Sequence, residues 1–313
     1  MVAVGTGATS DLQAPAPRPS RPRGPRPSPG YRVFHVANGV ILTLVVVVTL
    51  YPLVNIVARS FSQTNYIRTG QVNLWPKGFN LTTYGTVMSD PTFWINYRNT
   101  VIYTVGATAV SMVLTTTYAY VLSKKNLKGR TVLIGVALFT RFFNGGIIPN
   151  YVLISQLHLR NTIWGIVLPN AISVFNLLVM KAFFESLPGE LEEAAAVDGL
   201  STYGTLLRVV LPLSKAVIAT MILFYAVSFW NSWFSAFLYM DHQDLFPVTV
   251  YLRNLIAGAS SATNEQMASD TSLQIQANIQ SVTIVLTALP IVLVYPFIQR
   301  YFVSGVLLGA VKG

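Results

Sequence analysis

The distribution of charge constrains this chain more than any other feature. Charge-free runs extend from Val33 to Ala58, Asn99 to Ser123, Asn161 to Met180, Ala216 to Met240 and Thr271 to Gln299. A charge at the bilayer centre costs at least about 2.5–3.5 kcal/mol and a spanning helix needs roughly 20 residues, so each run reads as a membrane helix. A sixth apolar stretch, Thr131 to Ile154, carries Arg141 in its middle and is expected to span as well, with that charge near the midplane. Composition agrees: 52% hydrophobic residues against 10% charged excludes an ordinary soluble fold. The expected fold class is therefore an all-α polytopic membrane protein with six transmembrane helices, at about 33–58, 96–123, 131–154, 161–183, 213–240 and 275–299.

An even number of spans puts both termini on one side of the membrane. With the termini inside, the inner segments hold fourteen Lys and Arg and the outer segments six, so the positive-inside rule places both ends in the cytoplasm. The cluster Lys124, Lys125, Lys128 and Arg130 fixes the loop after the second span most firmly. The net charge of +10 is thus accounted for by helix orientation, and no nucleic-acid partner is expected. Residues 1–32, in which prolines alternate with Ser and Arg, read as a disordered cytoplasmic tail whose arginines can touch anionic lipid. The first span is too long for a signal peptide and lacks a small-residue cleavage site, so it is expected to stay attached. Residues 59–95 form an external loop, 241–270 a second one, 96–302 the five-helix core, and 303–313 a cytoplasmic C-terminus.

Much chemistry is missing. Cysteine is absent, three histidines remain, and no Gly-Lys pair exists from which a phosphate-binding P-loop could be built. Neither His-Glu-x-x-His nor Gly-x-Ser-x-Gly occurs, and no Asp or Glu lies in the middle of a span, where a proton- or sodium-coupled transporter usually keeps its ion site. No metal site and no cofactor are expected in this chain. Uphill transport would draw its energy from another subunit.

The most informative segment, residues 185–212, lies between the fourth and fifth spans. Pro188 suits a first helical turn, Glu190, Glu192 and Glu193 sit where a helix N-terminus favours negative charge, and Ala194, Ala195 and Ala196 propagate a helix. Gly199 can end it in the left-handed conformation, Ser201 can cap a second short helix, and Pro212 is tolerated where the next span starts. Leu191, Ala194, Ala195, Leu200, Tyr203, Leu206 and Leu207 then form an apolar surface suited to a docking partner, since four acids argue against a helix lying on anionic lipid.

These residues carry a family resemblance. Glu193-Ala194-Ala195, then Asp198-Gly199, and after nine residues Val209-x-Leu211-Pro212 resemble the EAA loop of binding-protein-dependent ABC importer permeases, with Val209 replacing the commoner Ile. The likeness continues in Asn99-Thr100, the Gly145-Gly146-Ile-Ile-Pro149-Asn-Tyr151 segment, Phe224-Tyr225, Trp230-Asn231-Ser232-Trp233 and the closing Gly305 to Gly313. It is similar to the carbohydrate-uptake branch, in the subgroup with a Gly-Gly-x-Ile-Pro segment linked to oligosaccharide or polysaccharide import. The resemblance implies the type I ABC importer permease fold in a bacterial inner membrane. It implies three partners: a cytoplasmic ABC ATPase dimer that hydrolyses ATP, a second homologous permease subunit, and an extracytoplasmic solute-binding protein. This chain would then not be an enzyme; Glu193 would meet the ATPase and Gly199 would fix the angle of the coupling helix.

Candidate pathway residues follow from polar stripes inside the spans. Ser228, Asn231, Ser232 and Ser235 fall at helical spacing in the fifth span beside Tyr225, Phe229, Trp230 and Trp233. Asn170, Ser173 and Asn176 form a stripe in the fourth, and Asn96, Asn99 and Tyr103 one in the second. Such groups either bind sugar hydroxyls and ring faces or join helices to one another. Arg141, with Asn144 on the same face, reads either as a counter-charge for an acidic saccharide or as half of an ion pair with the partner permease. A channel or secondary transporter without an ATPase, and a membrane scaffold that recruits a soluble partner, remain the alternative functions.

Overall fold

Helix breakers, rather than hydropathy alone, set where the elements end. The structure, a computed structural model, describes residues 29–262 and 270–305, and every regular element among them is helical. The chain divides into two units, residues 1–51 and 52–313. In the first, the described residues form the opening part of helix α1 (Pro29–Ser60), and its side chains from Val33 to Tyr51 are exposed. The helix begins before the expected Val33; the remainder of the proline-rich tail, and the C-terminal residues 306–313, lie outside the described residues.

In the second unit the expected external loop is itself ordered. It holds α2 (Thr64–Arg68) and α3 (Thr82–Met88). Asn55 Nδ2 donates to the Val72 and Asn73 carbonyls at 3.1 and 2.8 Å, and Tyr84 donates to Ser60 Oγ at 2.9 Å, so side-chain bonds hold the loop. Helix α4 (Pro91–Ser123) starts where Asp90 caps the Thr92 N–H at 2.8 Å and Pro91 takes the first helical position, which lengthens it beyond the expected 96–123.

Three expected straight spans are broken. Residues 131–154 become α5 (Arg130–Phe142) and α6 (Ile147–Gln156), bent by 114°. Gly146 causes this, with φ +91, a value only glycine adopts readily, and the Asn144 side chain accepts from its N–H at 2.9 Å. The fourth span is α7 (Ile163–Val167), continued by one 3₁₀ turn to Asn170, then α8 (Val174–Glu185), with a 56° bend at the break where Ser173 caps α8. The coupling segment follows as α9 (Glu190–Val197), α10 (Thr202–Thr205), a π turn over Leu206–Val210, and α11 (Leu211–Leu213). At Ser214 the axis turns 87° into α12 (Lys215–Trp230), so the fifth span is much shorter than 213–240. Helices α13 (Phe234–Tyr239), α14 (Val248–Ala262) and α15 (Asp270–Gly305) complete the chain. Among the described residues two helices are long and apolar enough to cross a membrane, or up to five if each bent pair is one span; Asn278–Val294 is a shorter apolar stretch.

The core of this unit packs α12 and α8 against α4. Leu122, Leu177, Met180 and Met221 are fully enclosed. One hydroxyl ties the three helices together. Tyr225 Oη on α12 lies 2.6 Å from Thr115 Oγ1 on α4 and accepts from the Ser173 N–H, the N-cap of α8, at 2.9 Å. Tyr225→Phe leaves both groups without that partner and should lower stability by about 1–3 kcal/mol. Helicity lost at a lower temperature in detergent is the expected result, and an unchanged transition would remove the hydroxyl from this role.

A second tie joins the connection between α6 and α7 to the segment that follows α13. Arg160 donates to both Asp241 oxygens at 2.6 and 2.8 Å and Asn161 donates to Asp241 Oδ2 at 2.9 Å. The Asn161 amide first and the Arg160 guanidinium after it hold the Asp241 carboxyl below its ordinary 3.8. A depressed carboxylate stabilises the folded state above its unfolded pKa, and the effect is lost as pH falls through the lower folded value. The protection of amides around Asn161, taken relative to their intrinsic exchange rates, should therefore hold at neutral pH and fall only on acidification below about pH 4, whereas Asp241→Asn should show the lower protection at every pH.

Candidate functional sites: the coupling loop and the cleft between broken helices

Residues 185–212 fold as a helix, a turn and a second helix, built as the local sequence dictates. The three glutamates occupy the first turn of α9, where they meet its N-terminal dipole. At the other end the Gly199 N–H bonds the Ala196 carbonyl at 3.0 Å and the Leu200 N–H reaches the Ala195 carbonyl at 2.9 Å. With Gly199 at φ +75 this is a complete left-handed helix stop. Pro188 precedes the helix, and its carbonyl accepts from the Leu191 N–H at 3.2 Å. Ser201 caps the next helix through its side chain, which accepts from the Gly204 N–H at 3.2 Å.

Only part of the anticipated apolar face points outward. Ala195 and Leu206 are buried, and Leu206 joins Val210 in the core cluster with Leu122, Leu177 and Phe184. Leu191, Val197, Tyr203 and Leu207 are the exposed apolar residues, beside exposed Glu193, Ala194 and Asp198. Of the later motif residues, Val209 is half-buried in the π turn, Leu211 is half-buried and Pro212 is exposed in α11. Sequence reasoning missed one tether: Glu192 pairs with Lys124, whose ammonium also lies 3.9 Å from the centroid of the Tyr120 ring. A second network joins Arg130 and Lys181 to Glu185. The basic cluster after α4 thus grips the acidic loop and the end of α8.

The second site is a cleft of about 1240 Å³ lined by the two breaks and the end of α12. Arg141, Asn144, Asn150, Asn170, Ser173, Asn176 and Ser228 face it, with Phe143, Phe175, Phe224, Phe229 and the Tyr225 ring. The expected position of Arg141 needs correction. It is not midway along a straight helix but in the last turn of α5, where a cation complements the helix C-terminus, and it is exposed beside the break. The fifth-span stripe is also corrected. Helix α12 ends at Trp230, so Ser228 faces the cleft while the residues after it leave the helical register. Asn231 donates to the Val227 carbonyl at 2.8 Å and closes the helix end, the Ser232 carbonyl accepts from Thr249 at 3.2 Å, and Ser235 Oγ accepts from Asn170 at 3.3 Å. Trp230 is buried and donates to the Thr287 carbonyl at 3.1 Å.

The second-span stripe serves a neighbouring segment. Asn99 donates to the Asp244 and Phe246 carbonyls at 2.6 and 3.2 Å, and Tyr103 to the Leu245 carbonyl at 2.9 Å. Asn150 was not anticipated as a cleft residue, although Gly146 and Pro149 just before it are the kind of residues that break a span and leave polar groups beside it.

With this geometry in view, the comparison with known proteins is decisive. Residues 131–308 match the family of binding-protein-dependent transport system inner membrane components. The chain belongs to that family. It is 41% identical to Protein LplC of Bacillus subtilis (strain 168), over 90% of this chain and 96% of that protein. It is 36% identical to the polygalacturonan/rhamnogalacturonan transport system permease protein YtcP of the same organism, over 90% of this chain and 99% of that one. Among solved structures it resembles a bacterial ABC transporter involved in the import of the acidic polysaccharide alginate, with a TM-score of 0.79, 32% identity, and coverage of 89% of this chain and 99% of that one. The matched region of this inner membrane component contains both sites, from the α5 break through the coupling loop to α15.

Because Gly199 would meet nothing within 4 Å if it carried a Cβ, a substitution there acts through the backbone alone. Gly199→Val should cost about 1–2 kcal/mol of local stability. Hydrogen exchange should speed up at Ala195 to Leu200 while α4 and α12 stay protected; unchanged exchange would mean the turn carries no strain.

Proposed function

We propose that this chain is one transmembrane half of an ATP-driven importer, passing a carbohydrate received from an external binding protein to the cytoplasm. The observation that carries the reading is the α9 helix. It ends in the Gly199 stop, is buried at Ala195, is tied to the end of α4 by the Glu192–Lys124 pair, and is exposed at Glu190, Glu193 and Val197, while Leu206 of the π turn beyond it sits in the core. A stiff, acidic and partly apolar projection of this kind suits a cleft on a soluble motor subunit and transmits its movement directly into α4, α8 and α12. ATP hydrolysis then belongs to that separate subunit. Relatives named for polygalacturonan and alginate transport support a carbohydrate cargo.

In this reading the chain has six spans with both termini in the cytoplasm of a bacterial plasma membrane. α1 and α4 are two, the bent pairs α5–α6 and α7–α8 are two more, α12 is the fifth, and the apolar part of α15 is the sixth. A second, related permease completes the pathway, and the bends face it. An autonomous channel or secondary transporter is disfavoured by the absence of buried acids along the described spans.

The test is reconstitution with the candidate ATPase, the second permease and the binding protein in vesicles. Glu193→Lys should abolish saccharide uptake and substrate-stimulated ATP hydrolysis while insertion and pairing with the second permease persist. ATP-independent uptake by this chain alone, or full uptake by the variant, would overturn the assignment.

A further inference from the structure

The cleft has a charge pattern that the importer reading does not require. Arg141 is its single charged liner among the described residues; none of the other residues around it is Asp, Glu, Lys or His. Among the described residues Arg141 makes no ion pair and no hydrogen bond, and it is exposed to the cleft. A guanidinium keeps its charge in a low-dielectric site rather than shedding its proton, and its fork of donors matches a carboxylate.

A second observation points to a ligand at the same place. Asn176, on the first turn of α8, is only 5% exposed, lines the cleft, and its side-chain amide has no hydrogen-bond partner among the described residues. An amide that lines the cleft with its donor and acceptor both free can bond a ligand carrying both kinds of group. Sugar hydroxyls are such groups. Ser228 is exposed in the same wall, and the exposed Phe143 and Phe175 offer flat apolar surfaces. At about 1240 Å³ the space exceeds the roughly 300–1,000 Å³ of a drug-sized ligand site, as an oligosaccharide requires.

Resting on the importer reading, we infer that the cleft selects a carboxylate-bearing saccharide, with Arg141 taking the carboxylate, Asn176 and Ser228 the hydroxyls, and the phenyl rings the apolar sugar faces. Arg141 is then a specificity-determining residue, and the break at Gly146 exists in part to bring it from a helix interior to the cleft wall.

The test is calorimetric binding of trigalacturonate and of its neutral methyl ester to the detergent-purified transporter, without the binding protein. The wild type should prefer the acid by about tenfold, the equivalent of one charge-assisted hydrogen bond. Arg141→Gln should erase that preference while leaving ester binding in place, and Arg141→Lys should retain part of it. Asn176→Ala should weaken acid and ester equally. The inference is overturned if the wild type shows no preference, or if the preference survives Arg141→Gln. It is also overturned if the Arg141→Gln chain no longer copurifies with the second permease, since the arginine would then answer an acid on that subunit. Copurification with an ATPase and ATP-dependent uptake of neutral saccharide, measured on the same preparation, judge the importer reading separately.

Discussion

A backbone inside a membrane has no water to satisfy it, so every interruption of a helix there needs a partner for the N–H and C=O groups it frees. This protein interrupts its helices at residues 143–146 and 171–173, and each time a side chain supplies what the backbone lost. Asn144 accepts from Gly146, Ser173 accepts from the Asn176 N–H, and Tyr225 accepts from Ser173. The Tyr225 hydroxyl matters most, because it also reaches Thr115 and so sets α4, α8 and α12 in one register. The cleft follows from these solutions: both breaks open onto it, and the polar groups left beside them become its lining.

The same three helices carry the coupling loop at their other ends. Leu206 and Val210 from the loop share a core cluster with Leu122 of α4, Phe184 of α8 and Met221 of α12. The loop is therefore packed directly on the elements that line the cleft. From the loop the chain passes through the π turn at Leu206–Val210 and the 87° bend at Ser214 into α12.

The sequence alone settled a good deal. Hydropathy gave the helical class, because the penalty for a charge in hydrocarbon is large and local, but not where the helices break. The loop was legible residue by residue, since Gly199, Ser201 and the leading glutamates act through backbone conformation and caps within one or two turns. Which apolar loop residues face out was not legible: Leu206 turns inward because Leu122 of α4 and Leu177 and Phe184 of α8 are there to receive it, and Ala195 is buried with it.

The candidate pathway divided along the same line. Ser228, Asn231, Ser232 and Ser235 share a helical spacing, yet the helix stops at Trp230, whose indole is drawn to the Thr287 carbonyl 57 residues away. Arg141 read as a charge in mid-span because its neighbours are apolar, and only the 114° turn at Gly146 moves it to a cleft wall. What the sequence determined by itself is everything governed by transfer to hydrocarbon and by contacts within a turn of helix. Where the helices break, and which polar groups then meet, was decided by the tertiary structure, because satisfying a broken backbone inside a membrane depends on partners that are distant along the chain.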